Sequence, residues 1–203
     1  MAIIYIIMNP VSMSQLGAFW SDFSVSEDDE HSLNTGLNIL SQVISHGAIH
    51  DSSEHSPKCH PQTRKDVLKL ILDWVDDPNP SCSVLWLYGP LGAGKTAILQ
   101  SIAELLNSRA ELPTESTGQC GGSFFFSGGK SGRDEGHRLF STIGYQLALN
   151  LPSLRDHVNN IMASNPILHT KSLSVQFNSL IVDAFHRLKQ EGTDLHTPTV
   201  LTD

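Results

Sequence analysis

Lysine and arginine are missing from the first 57 residues of this 203-residue chain, although that stretch holds seven acidic residues. The remainder sets 14 acids against 13 bases, so nearly all of the formal charge of −8 sits in the leader. A net-acidic chain without a basic cluster lacks the phosphate-neutralising surface that general nucleic-acid binding needs, and no nucleic-acid partner is expected. Cysteine is scarce too. Cys59, Cys82 and Cys120 are widely spaced and odd in number, which excludes a disulfide framework and points to a reducing compartment, the cytoplasm. Cys59, His60 and His55 have no CxxC partner to complete a zinc site and read as loop residues. Long apolar runs are also absent. The opening run at residues 2–8 stops at Asn9-Pro10, short of the ~20 residues that span a bilayer, and it lacks the basic flank and cleavage pattern of a signal peptide. No membrane association is expected, and the run reads as a short buried strand or an artefactual gene start.

The length suits one globular domain and leaves no room for two large ones. The charge step near residue 57 divides it into an acidic leader (1–57) and a nearly neutral segment (58–203). In the leader, Leu33, Leu37, Leu40 and Ile44 recur at helical spacing, which predicts a helix over 32–45. Gly36 inside it costs about 1 kcal/mol relative to Ala. The acidic run 27–30 reads as a solvated loop, and the polar stretch 52–61 as a linker. Beyond it, Val67, Leu68, Leu70, Ile71, Leu72, Trp74 and Val75 form a broad apolar face over 63–76, with Thr63 and Asp66 placed as a capping box. Residues 83–88, SVLWLY, read as a strand covered on both faces.

That strand leads into residues 89–96, GPLGAGKT, which match G-x-x-x-x-G-K-[ST] ahead of a helical run at 97–111. A chance match in a chain of this length comes to about 1%, and the strand and helix around it lower that further. Glycines allow the tight turn and the φ values that let successive backbone N–H groups face phosphate oxygens. The expected nucleotide-binding residues are Gly89, Pro90, Leu91, Gly92, Ala93, Gly94, Lys95 and Thr96. Lys95 would follow the transferred phosphoryl group as a catalytic charge, and the Thr96 hydroxyl would ligate Mg²⁺. Ile98, Leu99, Ile102, Leu105 and Leu106 are the expected core of the following helix.

Downstream, residues 123–127 (SFFFS) read as a second buried strand, and 128–136 as a polar loop whose Lys130 and Arg133 read as solvated charges, with approach to a γ-phosphate as the alternative. Helices are predicted over 139–149, 154–162 and 175–188, broken by Pro152 and Asn165-Pro166. Strand, loop, helix, strand, helices is an α/β order. A hydrolysing enzyme of this kind needs a second strand ending in an acid for the metal. The candidate is TVLTD at 199–203, with Asp203 as a second metal ligand and catalytic acid. A sheet ending there has about three strands and an exposed edge. The fold class expected is thus α/β, a P-loop NTPase parallel sheet flanked by helices and incomplete at the C-terminus.

The ordered set CHPQTR (59–64), a helix ending in Trp74, LYGPLGAGKTAI, FFFS, and RLFSTIGYQLA (138–148) resembles the NACHT-type P-loop NTPases of fungal NOD-like receptors, of the STAND class, and their nephrocystin-like N-terminal segment. The likeness covers roughly 47–203. It implies an ATP- or GTP-dependent Mg²⁺-assisted switch, with nucleotide controlling self-association or contact with signalling proteins. It also implies that Arg64 lies near the base. The family's acidic block after its second apolar strand has no counterpart except Asp203, so weak or no hydrolysis is expected, and the chain reads as the first portion of such a domain. The alternatives are an active NTPase completed by another subunit or a longer chain, a small P-loop kinase, and an interaction fragment that binds no nucleotide.

Overall fold

A computed structural model of the chain describes residues 6–8, 35–54, 57–77, 81–110, 119–130, 132–192 and 198–203. Four strands form one sheet: β1 (Ile6–Met8), β2 (Val84–Trp86), β3 (Gln119–Phe124) and β4 (Pro198–Thr202), in the order β2-β1-β4-β3. β3 pairs with β4 in parallel and β1 runs antiparallel to both β2 and β4, so β2, β3 and β4 share one direction. The α/β class holds, but the sheet is mixed where a parallel one was expected. The apolar run at the start of the chain supplies the reversed strand, with Ile7 paired to Leu85 on one side and Leu201 on the other.

Helices α1 (Thr35–Val43), α2 (Lys65–Val75), α3 (Lys95–Ala110), α4 (Leu139–Asn150) and α5 (Pro152–Ser164) are followed by α6 (Leu173–Phe177) and α7 (Ala184–Gln190), joined by a π-helical stretch, Asn178–Asp183. They cover the sheet in two layers. Leu37, Leu40, Leu147, Leu154 and Leu180 pack with Phe124 and Val200 on one face, and Ile71, Leu99, Ile102 and Leu106 pack with Phe125 and Leu201 on the other. Successive residues at 124–125 and 200–201 enter opposite layers, the period-two rule of extended chain. Each fully buried Leu, Ile or Phe contributes about 1.5–3 kcal/mol relative to exposure.

Several expectations are corrected by this packing. The strand read over 83–88 shrinks to Val84–Trp86, and Trp86 and Tyr88 are 52% and 80% exposed. β2 lies at the sheet's edge, with Leu85 packed against the core and Trp86 turned outward. The strand read over 123–127 instead occupies Gln119–Phe124. Its glycines disguised it. The pairing with β4 slips between Cys120 and Gly122, a bulge in which a Cβ on Gly121 would stand 2.5 Å from Pro198 Cβ and 2.9 Å from Leu147 Cδ2. Leu105 is 40% exposed, and Ala103 takes a buried place beside Ile102. Thr63 does not cap α2. Its hydroxyl donates to His60 O at 2.7 Å, and the N-cap is Arg64 in the left-handed region with no side-chain cap bond. Pro152 opens α5 as its first residue, a place its missing N–H suits, and does not merely interrupt the chain. The acidic run 27–30 lies outside the described residues.

Residues that the charge count set apart join the same core: Leu37, Leu40, Ile44 and Ala48 are buried in the layer formed with α4 and α5. The free side of β3 is also satisfied. Gln146 of α4 accepts from Ser123 N at 3.0 Å and donates to Ser123 O at 2.8 Å, while Asn150 donates to Cys120 O and Gly121 O. Side chains thus perform the pairing that a further strand would otherwise provide. Burial pushes the Cys120 thiol up to about 12, so it acts as a packing group.

The segment after α1 docks on the end of β3. Ala48 O accepts Phe125 N at 2.7 Å, His50 N donates to Ser123 Oγ at 3.0 Å, and Gln100 of α3 donates to His50 O at 2.8 Å. The His50 ring is buried against Ser123, and its Nε2 has no hydrogen-bond partner among the described residues. Burial holds its pKa below the ordinary 6.5, against the opposing pull of Asp51 and Glu104. The unfolded chain therefore takes up a proton near pH 6.5 that the folded chain refuses. This contribution to stability is complete above that pH and is lost as pH falls toward the folded value. The urea midpoint should be lower at pH 5.5 than at 7.5, with a smaller difference in His50→Gln; an undiminished difference in that variant would assign the acid sensitivity elsewhere.

Candidate functional site

Because β2, β3 and β4 run the same way, the segments that leave their carboxyl ends meet at one edge of the sheet, where open α/β sheets place their ligand sites. Three segments converge there: the glycine loop after β2, the polar loop after β3, and Asp203 after β4.

The glycine loop turns directly into α3, whose first residue is Lys95. Ala93 N donates to Pro90 O at 3.2 Å, and Ile98 N donates to Gly94 O at 3.0 Å, so the turn and the first helical turn interlock. Gly92 and Gly94 adopt φ of 77° and 82°. A Cβ at either would meet nothing within 4 Å, so backbone conformation alone demands glycine and the space above the loop is open. Gly89 has no positive φ, and a Cβ there would make only ordinary contacts. Pro90 and Leu91 are exposed at the tip. Lys95 is buried, and its Nζ donates to Gly89 O at 3.0 Å and Pro90 O at 2.9 Å. The ammonium thereby lies inside the curve of the loop.

Thr96 and Asp203, 107 residues apart, are in direct contact: Thr96 Oγ1 donates to Asp203 Oδ2 at 3.0 Å. The other carboxylate oxygen accepts the Phe126 N–H, and Asp203 N donates to Phe124 O at 3.3 Å. Burial raises the Asp203 carboxyl above its ordinary range, opposed by the Phe126 amide, Thr96 and the charge of Arg133. Arg64 also reaches the loop. Its Nη2 donates to Ala93 O at 3.0 Å, and its φ of 57°, like the 71° of neighbouring Gln62, lies in the left-handed region that non-glycine residues rarely occupy.

Arg133 departs from its reading as a solvated charge. It is 5% exposed, with Nε donating to Phe125 O at 3.1 Å and Nη1 to Glu54 O at 3.3 Å. Lys130 does remain at the surface, paired with Glu54 at 3.2 Å. The Phe126 amide, and the inward turn of Arg133 onto backbone carbonyls, were missed because no residue pattern marks them. A usable signal was topological: a polar loop following a parallel strand opens on the same edge as the glycine loop.

These features define an α/β protein with a strand, glycine loop and helix at the carboxyl edge of its sheet, and with an acid from a neighbouring strand beside the helix start. The family model described as Nephrocystin 3, N-terminal, matches residues 62–197, and the chain belongs to that family. Comparisons with curated proteins and with solved structures found no match. Among the described residues, no helix is long and apolar enough to cross a membrane.

Proposed function

We propose that the chain binds ATP or GTP with Mg²⁺ at the loop 89–96 and serves as the switch of a NACHT-type, STAND-class signalling domain in the cytoplasm. The observation that carries this reading is the contact between Thr96 Oγ1 and Asp203 Oδ2. A hydroxyl and a carboxylate at the start of a loop-capping helix are the oxygen donors that Mg²⁺ accepts alongside phosphates. The residues present suit that group. Lys95 Nζ donates to two backbone carbonyls inside the loop, bonds that a phosphate would replace with charge-assisted ones. Asp203 is held part-buried, where a cation offsets the cost of its charge.

In this reading the N–H groups of the loop and the N-terminus of α3 orient the phosphates, Lys95 neutralises them, and Thr96 and Asp203 hold the metal. Mg²⁺, when bound, would neutralise charge on the phosphate oxygens. Arg64, fixed to Ala93 O, would lie near the base. In this reading hydrolysis is slow or absent, and self-association or docking of signalling proteins is the output.

Titrating the full chain with fluorescent ATP and GTP analogues, in Mg²⁺ and in EDTA, tests this. Binding strengthened by Mg²⁺ is expected, with phosphate release below about 1 per second, under the range of working kinases. Asp203→Asn should remove most of the Mg²⁺-dependent gain, roughly tenfold for one charged contact. Absence of binding by the unmutated chain would end this reading.

A further inference from the structure

A buried guanidinium is costly unless its charge is used, and Arg133 enters no ion pair among the described residues. Its guanidinium donates to two backbone carbonyls, Phe125 O at 3.1 Å and Glu54 O at 3.3 Å. The first of these belongs to the peptide group whose other end, the Phe126 N–H, donates to Asp203. One planar peptide unit therefore stands between the cation and the acid. The C=O and N–H of a peptide are polarised together, so a cation on the oxygen strengthens the N–H as a donor.

We propose that Arg133 is a positioning residue for Asp203, acting through the peptide group between Phe125 and Phe126 to hold one carboxylate oxygen and leave the other for Thr96 and a metal. This rests on the nucleotide reading above and deepens it by adding a residue from the loop after β3. The fork of the guanidinium matters. Nε fixes the Phe125 carbonyl while Nη1 fixes Glu54 O, so the docked segment after α1 and the metal-side acid share one anchor. Lysine offers a charge at a point and cannot span both carbonyls with the same geometry.

The test uses the full chain with Arg133→Met and Arg133→Lys, and has two arms. In the nucleotide-free protein, the Phe126 amide proton should move upfield in Arg133→Met and less in Arg133→Lys, as its hydrogen bond weakens. In titrations with the fluorescent ATP analogue, the ratio of Kd in EDTA to Kd in Mg²⁺ should fall about tenfold in Arg133→Met, the effect of weakening one charged contact. The Kd in EDTA should stay within about twofold of the unmutated chain, and Arg133→Lys should recover part of the ratio. An unmoved Phe126 amide overturns the relay whatever the nucleotide data show. Equal weakening with and without Mg²⁺, accompanied by a lower Tm, marks a purely structural arginine and also overturns it. If the unmutated chain binds no nucleotide, the function proposed above fails, and the amide arm still decides whether Arg133 acts on Asp203. Should Arg133→Met not fold, Arg133→Lys carries both arms.

Discussion

Replacing Lys95 with alanine is expected to weaken Mg²⁺-nucleotide binding at least ~100-fold while shifting Tm little. Hydrogen bonds to charged groups are worth about 1.5–3 kcal/mol each, and an ammonium serving two phosphoryl groups would lose two of them. The stability side of the change is small for a specific reason. Lys95 Nζ donates to the Gly89 and Pro90 carbonyls, and Pro90 is exposed with Gly89 only part-buried. Water can replace the lysine there, so those carbonyls are not left unsatisfied. The alkyl stem is lost, yet α3 keeps its buried face through Ile98, Leu99 and Ile102. Large affinity loss with a nearly unchanged melting curve therefore separates a ligand-binding lysine from a structural one. Titration of Lys95→Ala beside a thermal scan decides this, and comparable nucleotide affinity in the variant would remove Lys95 from the site.

The parts of this site that were legible in the sequence are those whose chemistry is local. A strand, a glycine loop and a helix in succession announce their geometry because positive φ at Gly92 and Gly94, and a helix starting at Lys95, need no distant partner. Asp203 was readable as an acid ending an apolar strand, although its contact with Thr96 depends on how β4 sits in the sheet. Arg133 was not readable. Its partners are main-chain carbonyls at positions 125 and 54, and a carbonyl carries no residue identity. A charged residue in a glycine-rich loop looks the same whether it faces water or turns inward.

The fold divides along the same line. The long periodic helices α4 and α5 follow from their own apolar spacing. The reversed strand β1 does not, since pairing between residues 6–8 and strands beginning at 84 and 198 is set by contacts far apart in sequence. β3 escaped because Gly121 and Gly122 lower strand propensity, and the close approach of Pro198 that makes glycine necessary is invisible until β4 is in place.

Gly36 carries this argument to a sign reversal. Helix propensity alone predicts that Gly36→Ala, inside α1, stabilises the chain by about 1 kcal/mol. The structure predicts the opposite, since a Cβ at Gly36 would lie 2.0 Å from Asn159 O, 2.8 Å from Ala163 N and 2.9 Å from Asn159 C. All three atoms are backbone of α5, so no side chain can rotate away, and the two helices must separate. Separation also strips the cap that α5 supplies to α1: Asn159 Oδ1 accepts Gly36 N at 3.0 Å and Leu37 N at 3.2 Å, both buried. Overpacking costs about 1–3 kcal/mol, and a buried donor left unsatisfied costs about 1–3 kcal/mol more. These terms exceed the propensity gain, and a net loss of about 1–5 kcal/mol is expected. Urea unfolding of Gly36→Ala measures it, and Asn159→Ala, which removes the cap without the clash, should lose less. A Gly36→Ala chain as stable as the unmutated one would mean that α1 and α5 do not cross at this closeness in solution, and that the helix read over residues 32–45 is held by its leucines alone.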